Sequence, residues 1–159
     1  MEVVDRRREG AAVASLPTAS RSLLVWLLLH RGQVASRQTV AFALFPEEAE
    51  EAAFANLRRH IHTLSRKLSE IDPDSRWIIA DHQSIAWNAA VPLELDIDAF
   101  VEAAQTPGLG LAAATVYRGE LAADVSDAWV EPFRNHLRDQ FAAVCLRGAL
   151  YHYKKEEHA

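Results

Sequence analysis

"FANLRRHIHTLSRKLSEI" (residues 54–71) is the stretch on which the reading of this chain turns. Phe54, Leu57, Ile61, Leu64, Leu68 and Ile71 recur at intervals that alternate between three and four residues. That rhythm places all six on one stripe and predicts an amphipathic α-helix. Directly opposite fall Asn56, Arg59, Thr63 and Arg66, with Arg58, His62 and Lys67 towards the flanks. No acid appears in the stretch before Glu70, so the polar face is expected to be a row of donors able to reach phosphates or base edges. A solvated basic face would carry the same stripe. The flanking segments therefore decide.

Downstream, "SRWIIADHQSIAWNAA" (residues 75–90) holds two β-rich runs, Trp77–Ala80 and Ser84–Trp87. Between them lies a polar Asp81-His82-Gln83 turn, which is a hairpin signal. Upstream, "LPTASRSLLVWLLLHRG" (residues 16–32) gives a proline, Thr18 or Ser20 as cap, an apolar helix and a stop at Gly32. "SRQTVAFALFP" (residues 36–46) follows, with Ser36 as N-cap, Val40, Phe42, Leu44 and Phe45 as apolar positions, and Pro46 as terminator. Glu47, Glu48, Glu50 and Glu51 then precede the long helix, where negative charge suits the helix dipole. Residues 3–15 read as a short hairpin around a charged Arg6–Gly10 turn. Strand pair, three helices and hairpin make a winged-helix order over residues 2–93. A basic helix followed by a β-wing is a DNA-reading arrangement.

Past Pro92 the pattern changes to paired helices. "LDIDAFVEAAQ" (residues 95–105) offers Asp96 or Asp98 as a cap, and "LGLAAATVYRG" (residues 109–119) gives a second helix ended by Gly119. The third, from Asp127, turns Trp129, Phe133, Leu137, Phe141 and Val144 to one side. The fold class expected is thus α+β over the winged helix, followed by a mainly α-helical segment over residues 94–159. That segment stops after an uncapped helix, as the opening of a longer helical domain would.

Composition narrows the function. The net charge of −5 falls entirely on residues 94–159, with 6 Lys+Arg against 11 Asp+Glu, while residues 1–93 carry 11 of each. Screening confines electrostatic footprints to about 10 Å at moderate salt. An acidic second half therefore leaves a basic patch in the first half intact. No apolar run is long enough to span a bilayer and no signal-peptide pattern follows Met1, so a cytoplasmic protein without a membrane partner is expected. The single Cys145 permits neither a disulfide framework nor a Cys-based zinc site, and it reads as an inert helical residue. His60 and His62 lie two apart, about 200° round a helix, and so cannot share one ion; no metal site is expected. Trp26, Trp77, Trp87 and Trp129 read as packing residues. No Ser/His/Asp order, glycine-rich phosphate loop or close carboxylate pair points to catalysis, so neither an enzyme nor a cofactor is expected.

The residues also carry a family resemblance. "NLRRHIHTLSRKL" (residues 56–68), with His-Ile-x-x-Leu at its middle, resembles the recognition helix of OmpR/PhoB-type winged-helix regulators. From Ser22 through Phe100 the chain is similar to antibiotic-regulatory-protein-type (SARP/AfsR-like) activators. In these a winged helix precedes a bacterial transcriptional activation domain of tetratricopeptide-like helices. "VYRGEL" (residues 116–121) and "DAWVEPFRNHLRDQF" (residues 127–141) match that second domain's Tyr-Arg-Gly-Glu-Leu and Trp-x-Glu-x-x-Arg patterns.

The resemblance implies a transcriptional activator that binds double-stranded DNA through helix 54–71 in the major groove. Arg59, His62, Thr63 and Arg66, with Asn56, would face bases or phosphates. Arg58 and Lys67 would clamp the backbone, and His82 at the wing turn would lie near the minor groove. Glu47, Glu48, Glu50 and Glu51 become candidate contacts to RNA polymerase or its sigma factor. Homodimeric binding on repeated half-sites is a further expectation. The alternative is a protein-interaction module in which the winged helix no longer binds DNA.

Overall fold

The computed structural model describes residues 16–106 and 110–156; the hairpin expected over residues 3–15 lies outside the described residues. The chain is α+β. Its described residues fall into two compact units, one of residues 16–93 with Asp124–Val130, the other of Glu94–Ala123 with residues 131–156.

In the first unit α1 spans Thr18–Leu29. Pro17 is its N-cap and no side chain caps it, so Thr18 and Ser20 lie inside the helix rather than at its end. The reason is the proline: its fixed φ suits a helix start, and its carbonyl accepts the first helical bond, from the Arg21 N–H at 3.0 Å. Ser20 is instead fully buried. The chain leaves α1 through a turn at Gly32, whose φ of +84° is a left-handed conformation that glycine adopts without strain.

A two-residue strand, β1 (Ala35–Ser36), leads into α2 (Arg37–Leu44). Ser36 caps α2 as the sequence predicts, its hydroxyl accepting from the Thr39 N–H at 3.0 Å. Pro46 keeps α2 from continuing. The long helix, α3, runs over Glu50–Ile71, starting one turn earlier than the periodic stretch. Ala49 is its N-cap without a side-chain bond, and Glu50 and Glu51 in the first turn complement the dipole instead. It ends at Asp72, ahead of Pro73, where the pre-proline residue is disfavoured in helical conformation.

Asp72 then shapes the exit, accepting from the Asp74 N–H at 3.1 Å and the Ser75 hydroxyl at 2.6 Å. The hairpin follows as β2 (Ile78–Ala80) and β3 (Ser84–Trp87). The three strands form an antiparallel sheet in the order β1-β3-β2, with Ile78 opposite Trp87 and Ala35 opposite Ile85. The core lies where α1, α2, α3 and β3 meet. Leu57, Leu64 and Leu68 of the stripe are fully buried, alongside Leu23, Leu27, Leu28, Val40 and Ile85. Trp26, Trp77 and Trp87 are buried as well. Trp129 is half-buried and its indole N–H has no hydrogen-bond partner.

The second unit packs α4 (Asp96–Gln105), α5 (Gly110–Val116) and α6 (Glu131–Glu156), the last preceded by a 3₁₀ turn at Ala128–Val130 that belongs to the first unit. Leu95, not Asp96 or Asp98, is the N-cap of α4. Both acids sit in its first turn, where charge alone favours them, and the Asp96 carboxylate accepts from the adjacent Ile97 N–H. Tyr117 stacks on Phe141 with ring centres 4.4 Å apart and leans on Phe100 at 5.4 Å. Arg134 is buried and donates to the Leu121 and Ala122 carbonyls at 2.9 and 2.7 Å. Those two bonds hold a chain reversal in which Ala122 has a φ of +44°, uncommon for a residue with a side chain. Cys145 is exposed on α6, as are Leu146, Leu150, Tyr151 and Tyr153. Among the described residues no helix is long and apolar enough to cross a membrane.

Candidate nucleic-acid interface

The polar side of α3 divides into a crest and two unlike flanks. On the flank facing the hairpin, Arg58, His62, Ser65 and Ser69 line a groove of about 440 Å³, closed on its far side by Ser75, Trp77, Ile78 and Ala80. Two further arginines enter it from outside the helix. Arg37 comes from the first position of α2 and Arg76 from the residue before Trp77. Among the described residues no carboxylate lines the groove. Among the described residues none of Arg37, Arg58 and Arg76 is in an ion pair, and the Arg37 Nε is buried without a hydrogen-bond partner. Three unpaired guanidinium groups and an imidazole thus converge on one cleft. Such a cleft attracts anions, and the planar fork of arginine suits phosphate oxygens.

The crest carries Arg59 and Arg66, both exposed. Seven residues, or about 10 Å of helix, separate them. The far flank carries Asn56, Thr63 and Lys67, and here the expectation of an acid-free face is corrected. Glu48 accepts from the Asn56 amide nitrogen at 2.5 Å, and Glu70 accepts from the Lys67 ammonium at 2.9 Å. Glu48 stands eight positions before Asn56 and reaches it because the loop after α2 folds back along α3. Lys67 and Glu70 are an i,i+3 pair on the helix surface. Thr63 turns its hydroxyl onto the Arg59 carbonyl at 3.0 Å. Of the eight expected contact residues, Arg58 and His62 thus share the groove, Arg59 and Arg66 the crest, and Asn56, Thr63 and Lys67 the far flank.

The eighth, His82, is exposed at the hairpin turn beside Asp81. The Asp81 carboxylate accepts from the Gln83 and Ser84 N–H groups, both at 2.7 Å, which tightens the turn. Those backbone bonds, then the Ser84 hydroxyl, hold the Asp81 carboxyl below the usual aspartate range. The turn is anchored to α2 as well, since Gln83 accepts from the Arg37 N–H at 2.9 Å.

His60 faces inward, its Nδ1 lying 2.9 Å from the Ser20 hydroxyl and its ring stacked on Phe45 at 5.8 Å. Burial and then the Arg59 charge push its pKa down, partly offset by Glu48. Among the described residues no three His, Cys, Asp or Glu side chains are grouped as a metal ion requires. Glu47, Glu48, Glu50 and Glu51 are all exposed.

Compared with known protein-family models and with curated proteins, the chain matches none. The groove therefore rests on its own geometry. Periodicity within α3 missed Arg37 and Arg76, because each reaches the groove from another element. The local signal for Arg37 was its place directly after the Ser36 cap, and for Arg76 its place directly before the hairpin.

Proposed function

We propose that the chain is a sequence-specific, double-stranded-DNA-binding transcriptional activator of the antibiotic-regulatory type. In this reading its first unit is a winged helix and the second belongs to an activation domain. The observation that carries the proposal is the convergence of Arg37, Arg58 and Arg76 with His62 on a cleft between α3 and the hairpin where, among the described residues, no acid lines the cleft or pairs with the arginines. The order of helix, short strand, two helices and hairpin supports the winged helix. With α3 in the major groove, Arg59 and Arg66 on its crest read base edges. Arg58, Arg37 and Arg76 hold the phosphates on the hairpin side, and the His82 turn follows the backbone towards the minor groove. Lys67, already paired with Glu70, adds less.

The exposed Glu47, Glu50 and Glu51 are offered to RNA polymerase or its sigma factor, and two copies bind repeated half-sites. A second reading, a protein-interaction module, is favoured by the carboxylates of Glu48, Glu70 and Asp81 around α3 and the turn. Selection from a randomised duplex library separates the two. Enrichment of a common sequence by the whole chain supports the activator; recovery of unenriched sequence supports the interaction module.

A further inference from the structure

We infer that Glu48 is a positioning residue for Arg59, acting through the Asn56 amide, and so sets the base preference of α3 without itself touching DNA. The inference rests on the DNA-binding reading above.

The relay is short and its polarity is forced. Glu48 Oε2 accepts from Asn56 Nδ2 at 2.5 Å, and Asn56 Oδ1 accepts from Arg59 Nη2 at 2.7 Å. A carboxylate only accepts and a guanidinium only donates. Asn56 satisfies both neighbours only with its nitrogen towards Glu48 and its oxygen towards Arg59. The amide is thereby engaged on both ends, which makes Asn56 a bridge rather than an independent reader of bases.

Glu48 is itself held in place. Phe45 caps α2 through its N–H to the Ala41 carbonyl at 2.8 Å, and the Glu48 N–H donates to the Phe45 carbonyl at 3.2 Å. The Phe45 ring stacks on His60, which in turn meets the fully buried Ser20 of α1. The chain of contacts thus runs from the core to the crest. Arg59 keeps donors free for DNA while its guanidinium is held in one orientation beforehand; a base whose acceptors match that orientation is bound without reordering, and a mismatched base is not.

Ordinary electrostatics makes a different forecast. A carboxylate near DNA that only repels phosphate would weaken every sequence alike, and its removal would tighten binding without changing preference. The two roles separate in the ratio of affinities for two duplexes: one enriched by the wild-type chain from a randomised library, the other a scrambled duplex of equal length.

Glu48→Gln keeps an acceptor for Asn56 and removes the charge; both affinities should rise while their ratio holds. Glu48→Ala and Asn56→Ala break the relay, and each should lower the ratio by about five- to tenfold, near the bottom of the range for losing one base contact. In an Arg59→Ala background, Glu48→Ala should leave the ratio where Arg59→Ala alone puts it. Thermal midpoints matching wild type confirm that the variants fold. If Glu48→Ala and Glu48→Gln shift both duplexes equally, Glu48 is a repulsive charge and the relay is overturned. If the wild-type chain binds neither duplex in a salt-dependent way, the DNA-binding reading itself fails and the relay falls with it.

Discussion

Arg21 of α1 donates to the carboxylate of Asp124, 103 positions further along the chain. One residue on, the Ser22 hydroxyl donates to Asp127. Together they fasten Asp124–Val130 into the first unit, although the chain on either side of it belongs to the second. The need for such a cover is written in α1, where Leu23 to Leu28 are six consecutive buried residues. Six successive positions point all round a helix, so one side of α1 remains for this segment to cover beyond the sides packed on α2, α3 and the sheet.

Val125 and Val130 in the fastened segment are 1% and 0% exposed. Val130→Ala should lower the unfolding free energy of the whole chain by about 2 kcal/mol, from lost burial and the space left behind. A chain cut after Leu93 should unfold at lower urea than the first unit does within the full chain, and should bind a hydrophobic dye. Equal urea midpoints would show that α1 needs no cover from this segment.

Arg134 carries the second unit's chain reversal. Besides the Leu121 and Ala122 carbonyls, it pairs with Glu131 at 2.5 Å. Charged donors to buried carbonyls are worth roughly 1.5–3 kcal/mol each. Arg134→Met keeps much of the bulk and loses both carbonyl bonds together with the Glu131 pair, so it should cost at least about 3 kcal/mol in a denaturant titration. Arg138→Met removes only long, exposed pairs to Glu120 and Glu131, at 3.4 and 3.6 Å, and should cost less than about 0.5 kcal/mol. Equal costs would mean that the reversal is held by something other than Arg134.

His60 makes the first unit sensitive to acid. Its folded pKa lies below the ordinary imidazole value of 6.5, through burial first and Arg59 second. The unfolded chain therefore takes up the proton first as pH falls. The contribution of neutral His60 is fully present above about 6.5 and is lost as pH drops below that towards the folded value. Between about pH 7.5 and pH 5.5, wild type should lose more stability than His60→Gln, measured as the change in urea midpoint. An equal loss in both proteins would remove His60 from the acid response.

Much of this fold can be read from local pattern. The three-four spacing of Phe54 to Ile71 marks the core side of α3, and Leu57, Leu64 and Leu68 are fully buried there. Ser36 caps α2, and the Asp81-His82-Gln83 turn joins β2 to β3. Periodicity reports which side of a helix faces inward, but it does not say what stands beside the other side. Arg37 and Arg76 reach the groove through strand pairing and loop path, and Glu48 reaches Asn56 through a loop that folds back. Thr18, Ser20, Asp96 and Asp98 are cap-type residues standing where caps are expected. Capping depends on backbone angles at one residue, and Pro17 and Leu95 hold those positions.

The most direct measurement is the salt dependence of binding to duplex DNA, by fluorescence anisotropy, for wild type, Arg58→Ala, Arg76→Ala and Lys67→Ala. Each phosphate contact contributes about 0.9 to the slope of log affinity against log salt. Arg58→Ala and Arg76→Ala should each flatten the slope by about that amount and together by about twice it. Lys67→Ala, whose ammonium is already paired with Glu70, should flatten it less. Absence of salt-dependent binding by wild type, or a wild-type slope in the Arg58→Ala/Arg76→Ala double variant, would contradict the assignment of this groove to DNA.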